Sequence, residues 1–252
     1  MLKPLNFLRE KITRLETHLP SPSGIPLGHA EADRVLERGL LPGALHEVFA
    51  AERHAAAGSG FALMLALRLL GQKHLLWVRQ DFSAVPCGEI YPPGLLELGL
   101  DPDRLILVRA STPLDALRAA ADSICCKALG AVLLEVWGEH KTIDLTATRR
   151  LTLAAAQSGT TVILFHVAAA PRVSTAETRW LIEPEPSRDE DWGNPIFSAA
   201  LLRNRHGRTG RFSMEWSCDQ RIFREPANSR DLVSAVAGGT DSAARAEFRC
   251  AG

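Results

Sequence analysis

The most concentrated group of basic side chains in this sequence is of a type that binds phosphates or carboxylates. Arg203, Arg205, Arg208 and Arg211 fall within nine residues that contain no acid. A guanidinium group donates paired hydrogen bonds that suit either anion. Two glycines in the same segment permit a tight turn, which predicts a hairpin between flanking strands. Contact with DNA, contact with an acidic protein face and a solvated turn all stay open as interpretations.

A second chemical candidate is the run Gly58-Ser59-Gly60, placed at the predicted N-terminus of a helix. Backbone amides at such a position can hold an anion. The chain has no lysine between Lys11 and Lys73, so no ammonium group is available to strengthen that site. Ser59 also lacks the G-x-S-x-G surroundings of a nucleophile elbow, which argues against serine-based hydrolysis.

The cysteines do not form a recognisable metal or redox motif. None of the five stands in a C-x-x-C pair, and no histidine–cysteine cluster has zinc spacing. We therefore expect reduced thiols, no metal and a cytoplasmic protein. The charged N-terminus does not resemble a signal peptide, and the most apolar segment, residues 61–70, is too short to span a bilayer.

The composition is that of a folded globular chain. The 252 residues are 46% hydrophobic and 23% charged, and 29 basic residues balance 29 acidic ones. These values exclude intrinsic disorder, collagen and a disulfide-stapled miniprotein. A chain of zero net charge lacks the basic excess of proteins that coat DNA, so any contact with nucleic acid must be local.

The candidate residues are set among short apolar runs that alternate with helical patterns. Strands that are apolar throughout and separated by helices predict a mostly parallel sheet with helices on both faces, which is an α/β fold. Thr112 and Pro113 have the residue types of an N-cap and first helical position. We predict strands at 46–49, 74–79, 104–109, 131–136 and 161–167, helices at 60–71, 113–128 and 143–157, and a closing antiparallel hairpin from 197–202 and 211–216.

The two ends of the chain differ from this core. Leu5, Leu8, Ile12 and Leu15 recur at helical spacing and predict a short N-terminal helix that docks on the core or binds a partner. Residues 171–195 are rich in Pro, Glu and Asp and predict a loop. We predict a helix and linker over 1–24, a core over 25–225 and a flexible tail over 226–252.

The order of these elements resembles the RecA-like ATPase core. In that family a strand leads through a glycine-containing loop into a buried helix, and alternating strands end in an antiparallel hairpin. The resemblance is nearer still to the ImuA branch of RecA relatives, which are encoded beside damage-inducible mutagenesis genes, and it covers residues 25–217. Three segments carry it: Ile90-Tyr91-Pro92-Pro93-Gly94, Leu98-Gly99-Leu100-Asp101-Pro102 and Leu202-Arg203-Asn204-Arg205-His206-Gly207.

The resemblance implies a nucleotide site that has lost its essential groups. The phosphate loop would be residues 50–61, with Gly58, Ser59 and Gly60 but no lysine to reach the phosphates. The family's water-activating glutamate would fall on Gln80, and its sensor glutamine on Val167. An amide cannot act as a general base.

Only the magnesium-associated acid has a counterpart, Glu135. An alternative interpretation of Glu135 is that it lies at a strand end, where it is solvated or paired with Arg149 or Arg150. We therefore expect no ATP hydrolysis and no ATP or magnesium cofactor.

By the same resemblance, the chain is expected to be a non-catalytic accessory protein of damage-induced translesion synthesis. The implied partners are an ImuB-like relative of Y-family polymerases, an error-prone C-family polymerase, and RecA. Two other functions stay open: a working RecA-like ATPase or recombinase paralogue, and a cell-division inhibitor similar to SulA.

Overall fold

The computed structural model describes residues 24–81, 88–187 and 194–226. The predicted N-terminal helix with Leu5, Leu8, Ile12 and Leu15 lies outside the described residues, as does the tail after residue 226. Five helices are present in the described part: α1 Ala30–Leu36, α2 Ala55–Leu70, α3 Pro92–Glu97, α4 Pro113–Ser123 and α5 Leu145–Ser158.

Nine strands form one sheet. They are β1 Leu45–Ala50, β2 His74–Gln80, β3 Leu105–Ala110, β4 Leu129–Trp137, β5 Thr161–Val167, β6 Thr178–Glu185, β7 Ile196–Asn204, β8 Gly210–Ser217 and β9 Ile222–Arg224. The order across the sheet is β3-β2-β4-β5-β1-β6-β7-β8-β9. Neighbours from β3 to β6 are parallel, and neighbours from β6 to β9 are antiparallel. The predicted mostly parallel sheet and the closing hairpin are confirmed.

Helices cover the two faces of the sheet unequally. Helix α2 packs on one face against β1, β2, β4, β5 and β6, while α4 and α5 cover the other face between β3 and β1. Strands β1, β4 and β5 are buried along their whole length, as expected for central parallel strands. The prediction of helices on both faces is therefore confirmed only for the half of the sheet between β3 and β1. Strand β6 alternates buried and half-buried residues, so the far half of the sheet has one open face.

Three predicted boundaries are wrong. Helix α2 begins at Ala55 rather than at residue 60, because alanines, the strongest helix formers, extend it backwards from a 3-10 turn at Glu52–His54. Helix α4 ends at Ser123, well before residue 128. The predicted loop at 171–195 contains β6. This strand was not predicted because its buried residues stand in a segment rich in Pro and Glu. The cap on α4 is confirmed, since Thr112 Oγ1 accepts the backbone N–H of Asp115 at 3.1 Å.

Candidate functional site: the carboxyl edge of the sheet

The predicted site residues do converge on one edge of the sheet. Gln80 ends β2, Glu135 and Trp137 end the adjacent β4, and Val167 ends β5. Because β2, β4 and β5 run parallel, their carboxyl ends meet at this edge. The segment that would form a phosphate loop follows β1 at the same edge. The structure therefore brings the predicted site positions together at one edge. The chemistry of that edge depends on the side chain at each position.

The segment expected to be a phosphate loop is helical. A 3-10 turn covers Glu52–His54 and runs directly into α2. Since α2 begins at Ala55, the amides from Gly58 onwards donate to carbonyl groups four residues earlier in the helix. The amides of Gly58, Ser59 and Gly60 are therefore used within the helix, and anion binding by these residues stays a prediction.

The two glycines of this segment have different surroundings. An ideal Cβ on Gly58 would lie 2.6 Å from both Ala50 Cβ and Phe165 Cε2, so the missing side chain lets α2 lie close against the sheet. An ideal Cβ on Gly60 would meet no atom within 4 Å. Gly58 is therefore a packing residue, whereas Gly60 is a weak helix former at an uncrowded position.

These surroundings predict opposite effects for two matched substitutions. Gly58→Ala should destabilise the fold by about 1–3 kcal/mol through overpacking. Gly60→Ala should stabilise it by about 0.5–1 kcal/mol, because alanine favours the helix. Urea unfolding followed by circular dichroism measures both. Loss of stability in Gly60→Ala would contradict a helix at this position.

The acid that resembles a magnesium-associated residue is locked in a buried network. Glu135 is 1% exposed. Its Oε2 accepts from Arg79 Nε at 3.0 Å and from Trp77 Nε1 at 3.2 Å, and its Oε1 accepts from Trp137 Nε1 at 3.0 Å. The alternative of a solvated acid paired with Arg149 or Arg150 is wrong. Those arginines lie on α5, which covers the opposite face.

Arg79 gives this network its cation. Its guanidinium carbon lies 5.5 Å from the centre of the Trp77 ring, and the residue is 6% exposed. A buried carboxylate with one ion-pair partner and two indole donors has its charge balanced and its oxygens occupied. Coordinating a metal ion through Glu135 would require breaking this pair.

The remaining expected positions have structural roles. Gln80 Oε1 accepts the backbone N–H of Trp137 at 2.8 Å and so ties the ends of β2 and β4 together. Val167 is fully buried and pairs in register with Ala50 and Trp137. Phe61, where the family has a hydroxyl residue, is buried in an aromatic cluster with Trp180, Phe197 and Phe223.

A cleft of about 250 Å³ lies beside this network, between α2, α3 and the end of β2. Its lining includes Ser59, Trp77, Arg79 and Tyr91. Arg79 is the basic side chain in that lining, and its guanidinium is already held by Glu135. Glu89, also in the lining, pairs with Arg109. The cleft therefore presents aromatic and apolar surface rather than an unpaired cation.

A second buried network, which was not predicted from the sequence, lies on the opposite face. Glu47 Oε2 accepts from Arg179 Nε at 2.9 Å and from Ser174 Oγ at 2.7 Å, and its Oε1 lies 3.6 Å from His166 Nε2. The His166 ring stacks on Phe49 at 4.4 Å. The available signal was Glu47 itself, an acid within an apolar strand, which predicts a buried partner.

Charge interactions decide the protonation state of this acid. Burial raises the pKa of Glu47, but the neighbouring His166, the hydrogen bond from Ser174 and the nearby charge of Arg179 outweigh it and hold the pKa below its usual range. Ser174 belongs to the segment that joins β5 to β6, where it also receives a hydrogen bond from Arg179. The network therefore fastens this helix-free crossover to β1.

The basic hairpin is confirmed, but its four arginines are not equivalent. Arg211 Nη1 lies 3.3 Å from Glu183 Oε2 and donates to Ser198 Oγ at 3.0 Å. Arg203 donates to the Ser174 carbonyl at 2.7 Å. Within the part of the chain that the structure describes, the exposed guanidinium groups of Arg205 and Arg208 have no hydrogen-bond or ion-pair partner. Arg203 and Arg211 are therefore held within the fold, whereas Arg205 and Arg208 keep their donors for a partner.

Two further features concern the described residues only. No group of three or more His, Cys, Asp and Glu side chains is arranged there to hold a metal ion. None of the described helices has the length and apolar character needed to cross a membrane.

The fold is that of an α/β protein. At the carboxyl ends of its parallel strands lie the first turns of α2, the indole groups of Trp77 and Trp137, and the Arg79–Glu135 ion pair. Comparison with curated proteins gives the family. The chain is 31% identical over 214 residues to Protein ImuA of Caulobacter vibrioides, both in strain NA1000 / CB15N and in strain ATCC 19089 / CIP 103742 / CB 15. The match spans 77% of this chain and 83% of each relative. The chain belongs to the ImuA family, as its motifs predicted. No family model matches it.

Proposed function

We propose that this chain is a non-catalytic, RecA-like accessory protein of a DNA-damage-induced mutagenesis cassette. Membership of the ImuA family supports the cellular role. The order of elements supports the RecA-like assignment, since β1 leads directly into the buried α2 and antiparallel strands close a mostly parallel sheet. In this role the chain acts through its surfaces, joining an ImuB-like polymerase relative, an error-prone C-family polymerase and RecA.

The observation that carries the non-catalytic assignment is the Arg79–Glu135 pair. A RecA-like ATPase needs an acid that is available to the hydrated magnesium ion and a lysine that reaches the phosphates. Here the acid is bound by Arg79 at 3.0 Å and by two indole groups. The loop that would surround the phosphates is the beginning of α2. These features favour an adaptor over a working RecA-like ATPase, and no described feature points to SulA-like cell-division inhibition.

Complementation of a strain that lacks the gene for this chain tests the proposal. Wild type should restore mutagenesis after DNA damage. The double substitution Arg79→Met with Glu135→Leu removes every ionisable group of the network, and it should restore mutagenesis equally at the same protein level. If the wild-type gene fails to restore mutagenesis, the cellular role is wrong. If the double variant is present, folded and inactive, the network takes part in the activity and the non-catalytic assignment is wrong.

A further inference from the structure

We propose that the corner where the hairpin turn meets the end of α1 binds the phosphate backbone of DNA. The turn is packed against the helix rather than extended into solvent. Asn204 Nδ2 donates to the Val35 carbonyl at 3.2 Å. An ideal Cβ on Gly207 would lie 2.7 Å from the same carbonyl oxygen, so glycine permits this approach. Two segments far apart in sequence therefore form one surface.

Four exposed arginines lie on the two segments that meet here, which we call the arginine corner. Arg205 and Arg208 come from the turn, Arg34 immediately precedes Val35, and Arg38 follows Val35 by three residues. A guanidinium group that is exposed and unpaired can give its donors to a phosphate without first breaking an ion pair. Arg205 and Arg208 satisfy this condition.

The turn is basic, whereas the α1 side of the corner is balanced. Residues 203–211 contain no acid. Glu31, Asp33 and Glu37 lie on or beside α1 with Arg34 and Arg38, and Asp33 accepts the backbone N–H groups of Leu27 and Gly28. Glu177 Oε1 lies 3.3 Å from His206 Nε2. In a chain of zero net charge, the local excess that a nucleic-acid contact needs is therefore provided by Arg205 and Arg208 of the turn.

The corner fits a phosphate backbone better than an acidic protein face. Protein interfaces obtain most of their affinity from a few large aromatic or apolar anchors surrounded by arginine and polar groups. In the described ranges 29–40 and 203–211, no large hydrophobic side chain is exposed. The corner also lacks an exposed Phe, Tyr or Trp on which an unpaired base could stack. Within these two ranges the corner therefore offers donors for phosphates and no exposed aromatic or large apolar side chain; the exposed Leu202 precedes the turn.

The other two arginines of the hairpin differ from Arg205 and Arg208 because their side chains have partners within the protein. Arg203 and Arg211 bind Ser174, Ser198 and Glu183 and hold the hairpin in place. The four arginines of the hairpin thus divide into two that bind DNA and two that are structural. Substituting Arg205 and Arg208 should leave the fold intact, because no side-chain hydrogen bond or ion pair to another described residue is lost.

Fluorescence anisotropy with a labelled DNA duplex and the matching single strand tests the inference, using the full chain without nucleotide. The logarithm of the binding constant should fall linearly as the logarithm of salt concentration rises between about 50 and about 200 mM. In the Arg205→Ala/Arg208→Ala variant the slope should decrease by about two, one for each lost phosphate contact, and binding should weaken by about tenfold or more. Duplex should bind at least as tightly as single strand.

Two variants serve as controls. Arg149→Ala/Arg150→Ala on α5 removes the same charge elsewhere and should leave both the affinity and the slope unchanged. Arg205→Lys/Arg208→Lys keeps the charge and should retain most of the salt dependence. Absence of DNA binding at about 50 mM salt would overturn the inference, as would equal weakening by the α5 control. Saturable binding of an acidic peptide without binding of DNA would show that the corner contacts protein instead. None of these outcomes depends on ATP turnover, so this test and that of the non-catalytic assignment can fail separately.

Discussion

Replacing Arg79 with methionine should destabilise the fold by about 3–5 kcal/mol, because it leaves the Glu135 carboxylate buried without its cation. Glu135→Leu should cost a comparable amount, since it leaves the Arg79 guanidinium buried among apolar groups. Both side chains are at least 93% buried in the wild type. Equilibrium unfolding in urea, followed by tryptophan fluorescence and by circular dichroism, measures each change in the free energy of unfolding.

The double variant distinguishes a buried ion pair from two unrelated side chains. Arg79→Met with Glu135→Leu removes both charges together, so it should recover most of the stability that either single change loses. The stability lost by the double variant would then be far smaller than the sum of the two single losses. Additive losses would contradict the pairing, and with it the view that Glu135 is a structural acid.

This protein should lose stability already in mildly acidic solution, because the buried His46 stays neutral in the native state. His46 Nε2 bonds the Leu41 carbonyl at 3.0 Å, and a carbonyl only accepts, so Nε2 carries the proton. His46 Nδ1 therefore accepts from Thr178 Oγ1 at 2.8 Å, and that oxygen accepts from Trp180 Nε1 at 3.0 Å. Protonating Nδ1 would place a charge in the core and remove the acceptor that Thr178 needs.

Burial lowers the pKa of His46 from 6.5 to about 4, against the smaller raising effect of the Leu41 carbonyl. The unfolded chain binds a proton at higher pH than the native chain, so stability is lost as the pH falls between those two values. The loss from this one group is about 3 kcal/mol. The lowered pKa of Glu47 adds a separate loss of stability, which begins as the pH falls below the ordinary glutamate value of 4.5.

His46→Gln isolates the histidine contribution, since glutamine can still donate to Leu41 and accept from Thr178 without titrating. Urea unfolding of wild type and variant at a series of pH values should show a steeper loss of stability for wild type between about pH 6.5 and about pH 4. Parallel curves would contradict the buried neutral histidine, whatever the stability of the variant at neutral pH.

Features that depend on local patterning were predictable from the sequence. Strands β1, β2, β4 and β5 are apolar runs bounded by helical patterns, and all four lie near their predicted positions. Thr112 and Pro113 mark the start of α4, because capping depends on residues within one turn. The family was predictable from the order of short motifs, although each motif alone is weak.

The missed features depend on contacts between distant segments. Arg79 and Glu135 are 56 residues apart and meet only because β2 and β4 are neighbours in the sheet. Glycine in isolation disfavours a helix, but Gly58 is accommodated within α2 because the missing side chain lets the helix pack closely against β1 and β5. Similarly, the contact between Asn204 and Val35 cannot be predicted from either segment alone. In the sequence the four arginines of the hairpin look alike, whereas in the structure Arg203 and Arg211 are paired and Arg205 and Arg208 have no partner among the described residues.

The non-catalytic assignment is tested most directly by measuring the binding and turnover of magnesium ATP by the purified full chain, with and without single-stranded DNA. Isothermal titration at millimolar nucleotide and a phosphate-release assay are the two readouts. A chain whose acid is bound by Arg79 and whose phosphate loop is a helix should bind no nucleotide and release no phosphate. DNA-stimulated phosphate release would contradict it. If that release survived Ser59→Ala and was abolished by Glu135→Gln in a variant that stays folded by circular dichroism, Glu135 would serve the hydrolysis reaction and not only as the partner of Arg79.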